Sequence, residues 1–283
     1  IEDKARKARQ KLIFEYAIRN EINNIFFGHH ADDLIENFFI KLEMQAGIFG
    51  LSSSTQEKIF RWNGFYFKLI KPLNFIYKRE ILEFAKKENI FFVEDEGNFG
   101  TYFKRSRIRS KMEEALNLLE ITKQSIVNCV KNLNQEAKII SLRLEYIFTN
   151  VIKFDGDLGF FSGNDDIFLL SDLELQLCIK QIIFYFTEKC EVRRKEFENT
   201  ILKLKNKQKF TLGGILIFPS KERIFFIKEP SKVKDETYCG IWDKRFKLSE
   251  GFHKSTENIP KIILKTIPTL GEFKPIPFKI LYD

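Results

Sequence analysis

Two histidines and two aspartates stand together in Gly28-His29-His30-Ala31-Asp32-Asp33, and Glu36 follows one helical turn later. Carboxylates three residues apart on a helix share a face, so Asp33 and Glu36 can together receive a cationic amine or a metal ion. His29 and His30 can donate to phosphate or move a proton near neutral pH. The alternative is that Asp32 and Asp33 only cap a helix and that one histidine is a satisfied packing residue.

A second segment, Tyr102-Phe103-Lys104-Arg105-Ser106-Arg107-Ile108-Arg109-Ser110-Lys111, sets aromatic rings beside cations. Guanidinium forks match phosphate oxygens, and exposed rings stack on unpaired bases. The alternative is a solvated helix start whose cations meet Glu113 and Glu114. Arg193-Arg194-Lys195, with Lys203, Lys205, Lys207 and Lys209, forms a further basic stretch for which a solvated face is the simpler reading.

These groups need elements to hold them. Residues 4 to 20 place Ala5, Ala8, Leu12 and Tyr16 at helical spacing, with Arg6 and Arg9 three apart on one side. Ile25-Phe26-Phe27-Gly28 suits a buried parallel strand with a tight exit turn. From Asp33 a helix is expected, capped by Asp32 or Asp33, since Leu34, Phe38 and Leu42 stand at i, i+4 and i+8. Strand, turn and helix thus meet at the histidine and aspartate cluster, the position where open parallel sheets bind ligands. A strand pair is expected around Ile59–Leu69, a helix with Ile81, Leu82 and Ala85 inward, and another short strand at Phe91-Phe92-Val93 before the acidic turn Glu94-Asp95-Glu96-Gly97-Asn98. This alternation implies an α/β layer with a parallel sheet, residues 1–110. A helical linker is expected over 111–165 and a small α+β domain over 166–283, with helices at 171–188 and 192–206 and two strands around Pro219-Ser220-Lys221-Glu222.

The composition is that of a folded globular body, 44% hydrophobic and 30% charged over 283 residues. A formal net charge of +8 is compatible with a polyanionic partner such as nucleic acid. Cys129, Cys178, Cys190 and Cys239 form no CxxC pair, which argues against a zinc knuckle or thiol relay and for reduced, mostly buried thiols in the cytoplasm. No apolar run suggests a membrane span.

Taken in order, these segments resemble the tRNA(Ile)-lysidine synthetases, a family of PP-loop ATPases. KARKARQ resembles that family's arginine-bearing helix, GHHADDLIENFFIKL its HHxDDxxET motif, IKPLNFIYKREILEFAKKENIFFVEDEGN its stretch ending in EDxSN, and FKRSRIR its RNxIR-type element. TLGGILIF, IFFIKEP and GIWDKRF look like the second domain of some members. The sequence departs from the family pattern at Gln10 (usually Tyr), Leu34 (Gln), Asn37 (Thr) and Glu43-Met44-Gln45-Ala46-Gly47, where an RGSG-like turn is common.

The resemblance implies a partial PP-loop, Rossmann-like domain and an ATP-dependent ligation of L-lysine to C2 of the wobble cytidine of tRNA(Ile) with a CAU anticodon. That reaction runs through an adenylated cytidine and gives lysidine, AMP and pyrophosphate. It implies that Asp33, Glu36 and His29 are catalytic, and that Arg9, His30 and Asp32 face ATP or cytidine. Lys104, Arg105, Arg107, Arg109, Arg193 and Arg194 would hold tRNA. Mg²⁺ would come with the nucleotide and not with a protein metal site, and a homodimer is compatible with the family. The SGGxDS loop that wraps pyrophosphate would precede residue 1, so the chain alone is expected to be inactive unless that segment is supplied. The alternative is a catalytically inactive tRNA-binding remnant or fragment of such an enzyme. A thiolase of the same superfamily that uses paired cysteines would need the CxxC that these residues lack.

Overall fold

The computed structural model describes residues 2–52, 56–93, 104–156, 158–190, 192–220, 223–234, 236–239, 241–248 and 273–279. The acidic turn 94–98 and the aromatic residues at 102 and 103 lie outside them, as do the side chains of Lys104 and Arg194. Two compact units form, one from residues 1–60 and 66–140, the other from 61–65 and the described residues from 141 onward.

The first unit carries α1 (Glu2–Arg19), β1 (Asn24–Phe26), α2 (Ala31–Glu43), the short α3 (Ile48–Leu51), β2 (Glu57–Trp62), β3 (Phe65–Ile70), α4 (Lys78–Lys87) and α5 (Lys104–Leu118). It also holds the first part of α6 (Lys123–Asn150). The sheet order is β1-β3-β2. β1 and β3 run parallel, with Phe26 opposite Ile70, so the chain leaves both strands at the same edge of the sheet. The α/β reading holds, with one parallel pair and a hairpin turned at Asn63 and Gly64.

Two expectations for this unit are corrected. On α1 the face against the sheet is Phe14 and Ala17, while Leu12 and Tyr16 are exposed. Phe14 stacks on Phe60 and packs on Phe67 at 5.0 Å in each case, and a flat ring filling the space over paired strands outweighs the Leu12–Tyr16 stripe. Phe91-Phe92-Val93 forms no strand; Phe91 is 89% and Val93 78% exposed. A short apolar run identifies a strand only where a neighbour pairs with it.

The core behind the candidate site is helical. Ala31, Leu34 and Ile35 of α2 pack with Met112 and Leu116 of α5 and with Ile126, Val127 and Val130 of α6. Leu42, two turns after Leu34 on the same spacing, is 53% exposed.

The second unit is built on a five-stranded sheet, β4-β5-β8-β7-β6: β4 (Ile152–Phe154), β5 (Phe161–Gly163), β6 (Phe210–Leu212), β7 (Ile215–Pro219) and β8 (Ile224–Lys228). The antiparallel β7–β8 pair, Ile217 opposite Phe226, is the hairpin legible from the sequence. Helix α7 (Asp172–Thr187) is capped by Ser171, whose hydroxyl accepts from the Glu174 N–H at 3.3 Å, and α8 (Arg194–Lys205) follows it. A second sheet, β12-β11-β10-β9, comes from β9 (Thr237–Tyr238), β10 (Ile241–Trp242), β11 (Phe246–Leu248) and β12 (Phe273–Pro275). Of the four thiols only Cys178 is buried, and burial pushes it up to about 12; Cys129 and Cys239 are exposed, against the expectation of mostly buried thiols.

The hairpin tip Arg61–Phe65 belongs to this second unit. Arg61 is fully buried there and donates to the carbonyl oxygens of Tyr185 and Lys244, and the Gly64 N–H donates to Glu188 at 2.6 Å. A Cβ on Gly64 would lie 2.8 Å from both Ile241 Cγ2 and Ile276 Cδ1, at a φ of +83° that side chains resist. Gly64→Ala is therefore expected to destabilise this unit by about 2–3 kcal/mol, from strain plus overpacking. Urea unfolding checks it, and a change below about 0.5 kcal/mol would contradict the packing described.

Candidate active site

The turn from β1 into α2 places the histidines and aspartates, and its cap differs from the sequence expectation. His30, not Asp32 or Asp33, is the N-cap of α2. Asp33 sits at the third helical position and reaches back to accept the His30 N–H at 3.1 Å. That bond draws the helix start two residues earlier than the apolar spacing suggested, because a carboxylate satisfies an otherwise orphaned donor at the positive end of the helix dipole. The turn is pinned from outside by the Ala31 N–H, which donates to the Ile76 carbonyl at 2.9 Å.

Each carboxylate then has its own surroundings. Asp32 accepts from the Lys78 N–H at the head of α4 (2.9 Å) and from the Lys123 ammonium at the head of α6 (3.2 Å), so it ties three helices together. Burial alone would push Asp32 up, but these two bonds outweigh it and hold the carboxyl below its ordinary value. Lys123 also reaches Glu113 at 2.5 Å; burial works against its charge, and the two carboxylates outweigh burial and raise it. Asp33 keeps about a fifth of its side chain exposed, 18%, and His30 Nε2 lies 3.5 Å from it.

Glu36 is wholly buried and grips Arg109 through two bonds, Nε to Oε1 at 2.6 Å and Nη2 to Oε2 at 3.2 Å. The bond to Glu36 raises Arg109 above its already high value. The pair joins α2 to α5 across the same core that Leu34 and Met112 share.

A cavity of about 1020 Å³ opens over this cluster, lined by His30, Asp32, Asp33, Glu36, Tyr77, Arg109 and Lys123 among others. It is large enough for a base or an amino acid with polar groups converging on it. A smaller groove of about 440 Å³ lies on the other side of α5, between Phe39 and Ile108, Met112 and Ala115, with Glu43, Arg107 and Lys111 at its rim.

The basic segment at the start of α5 divides accordingly. Arg105 and Arg109 are four residues apart and share a side of the helix, whereas Arg107 falls on another. Arg109 holds Glu36, Arg105 acts electrostatically on His29, and Arg107 borders the apolar groove. Arg9 is exposed on α1, and Arg6 one turn earlier is the α1 cation that acts on His29. In the second unit Arg193 is exposed at the N-cap of α8.

One residue of this region was absent from the sequence reading of the site. Lys71 directly follows β3, beside the exit of β1, where the Phe27 N–H donates to the Ile70 carbonyl at 2.8 Å. Burial, then Lys58 and Arg6, push it down to about 8. His29 is lowered by burial first and then by Lys71. Among the described residues its buried Nδ1 has no hydrogen-bond partner, and a Cβ built on Gly28 would meet nothing within 4 Å. The positional rule that singled out Gly28-His29-His30 applies equally to the end of β3 and could have found Lys71.

The site is therefore polarised. Arg6, His29, Lys58, Lys71 and Arg105 gather at the strand ends, and Asp32, Asp33 and Glu36 lie along the first turns of α2, with Asp33 raising both His29 and Lys71.

Residues 1–116 match the model of the PP-loop domain. The chain is 29% identical to the tRNA(Ile)-lysidine synthase of Rickettsia bellii (strain RML369-C) over 99% of its own length and 64% of that protein's. It is 27% identical to the enzyme of that name from Wolbachia pipientis wMel, over 87% of this chain and 58% of that protein. Identity rises to 36% over 116 residues for that of Orientia tsutsugamushi (strain Boryong), 41% of this chain and 25% of that protein. The chain thus spans about three fifths of the length of the Rickettsia and Wolbachia relatives. Among the described residues no helix is long and apolar enough to cross a membrane.

Proposed function

We propose, on the premise that this chain belongs to the tRNA(Ile)-lysidine synthase family of PP-loop proteins, that it joins lysine to the wobble cytidine of an isoleucine tRNA with a CAU anticodon at the expense of ATP. The observation that carries this reading is the polarised site: cations at the strand ends suited to phosphates, and one part-exposed carboxylate, Asp33, suited to an amine.

In the first step the cytidine O2 attacks the α-phosphorus of ATP and pyrophosphate leaves. In the second the lysine ε-amine attacks C2, and the C2–O bond breaks to release AMP. The ε-ammonium must give up a proton to become nucleophilic, and the part-exposed Asp33 would hold the ammonium and receive that proton. Glu36 lines the cavity, but it is wholly buried and both its oxygens are taken by Arg109, so we read it as a positioning residue that sets where the guanidinium lies. His29 and Arg105, with Arg9 at the same helix side as Arg6, would meet phosphate oxygens, and His30 orients Asp33. Arg107, Arg193 and the basic residues of α8 would contact tRNA phosphates.

The carboxylates Asp32 and Glu36 are each held by a cation of the chain, an arrangement that suits Mg²⁺ arriving on the nucleotide rather than in a protein cage.

The test is incorporation of labelled lysine into CAU-anticodon tRNA(Ile), with the chain alone and with the chain joined to the part of the Rickettsia bellii relative that it does not cover. ATP-dependent incorporation in either form, lost when the anticodon is changed, is expected. tRNA retention without incorporation in both forms would overturn the enzyme reading in favour of a tRNA-binding protein.

A further inference from the structure

We propose that Lys71 is a proton-exchanging contact for the nucleotide's phosphates: its amine takes up a proton as polyphosphate settles at the strand ends and returns it as pyrophosphate leaves. This rests on the reading of the site as one that uses ATP.

The placement comes from the fold. β3 is the central strand of the sheet, and Phe26 of β1 lies opposite Ile70, so Lys71 emerges beside Gly28 and His29 at the carboxyl edge where ligands bind in open α/β sheets. Its backbone is fixed there by the Lys71 N–H, which donates to the Gln56 carbonyl at 2.7 Å. Among the described residues, none comes within 4 Å of a Cβ built on Gly28.

The side chain's neighbours come from every element around it. Lys58 of β2, Arg6 of α1 and Arg105 of α5 oppose its charge, and Asp33 of α2 favours it. A half-buried amine facing more cations than anions is only partly protonated near pH 8. An arriving phosphate reverses the local field, because its oxygens outweigh the neighbouring cations at contact distance, and the ammonium is restored. The same field change favours protonation of His29, which Lys71 and Arg105 otherwise disfavour. Phosphate binding and proton uptake are then linked.

The experiment titrates inorganic pyrophosphate into the chain at pH 8 by calorimetry, in two buffers of different ionisation enthalpy, for the wild type, Lys71→Arg and Lys71→Met. Lys71→Arg keeps a permanent charge, so the ligand's own protonation is common to it and the wild type, and their difference isolates Lys71. The wild type is expected to take up roughly half a proton more than Lys71→Arg, since its amine stands near its midpoint at that pH. Lys71→Arg should bind within a few-fold of the wild type, and Lys71→Met roughly ten-fold or more weaker, as for loss of one charged hydrogen bond. Lys138→Met, on the exposed face of α6, controls for the loss of one positive charge and should bind as the wild type does.

Equal proton uptake by the wild type and Lys71→Arg, unchanged affinity in a folded Lys71→Met, or no saturable binding by the wild type would each overturn the proposal. Lysine incorporation is scored separately. Lys71-dependent uptake without incorporation would sink the enzyme reading alone, and incorporation with Lys71-independent uptake would sink this inference alone.

Discussion

Arg109→Met is expected to destabilise the first unit by about 3 kcal/mol, and adding Glu36→Leu to the same chain should recover most of that loss. Glu36 is 0% exposed, and its carboxylate is satisfied by one guanidinium. Removing the guanidinium leaves a carboxylate in a core of Leu34, Ile35 and Met112, where a charge without a partner is costly. The Arg109 side chain is 39% exposed, so water reaches that end of the pair and the cost stays at the lower end of the range for buried pairs. Urea unfolding followed by circular dichroism, run as a double-mutant cycle, measures it. A loss below about 1 kcal/mol for Arg109→Met, or no recovery in the double variant, would show that the pair does not hold α2 to α5. The double variant should nonetheless lose lysine incorporation, because the guanidinium that borders the cavity is gone.

The second large effect is on chemistry and leaves the fold alone. Asp33→Asn keeps an oxygen that can accept the His30 N–H, so the helix start should survive with a stability change within about 0.5 kcal/mol. What it removes is the charge that holds an ammonium and the basicity that accepts its proton. Lysine incorporation should fall roughly 100- to 10,000-fold, the range for loss of a general base. A fall in activity that tracks a fall in stability would instead mark Asp33 as only a capping residue.

How much of this was legible beforehand depends on the range of the interaction concerned. Local spacing carried β1, α2, α4, α6 and the β7–β8 hairpin, because periodicity and turn residues are properties of neighbours in the chain. It also put Asp33 and Glu36 on one helix, but not the difference between them. That difference is made by Arg109, 73 residues away in sequence. Asp32 read as a cap or ligand; the structure ties it to Lys78 and Lys123, 46 and 91 residues away. On α1 two apolar faces competed, and the choice of Phe14 over Leu12 and Tyr16 was made by Phe60 and Phe67. Lys71 escaped notice because a lysine before a proline looks like any loop residue until β3 is known to lie beside β1. The four-residue spacing of Arg105 and Arg109 was visible, yet helix geometry had to be applied to see that Arg107 parts company with them.

The proposed chemistry is tested most directly by digesting the tRNA after reaction and weighing the modified nucleoside. A cytidine at the wobble position carrying one lysine in place of its C2 oxygen is expected, formed only with ATP and not by Asp33→Asn. An unmodified cytidine in every form of the chain, with the tRNA bound and the protein folded, would contradict it.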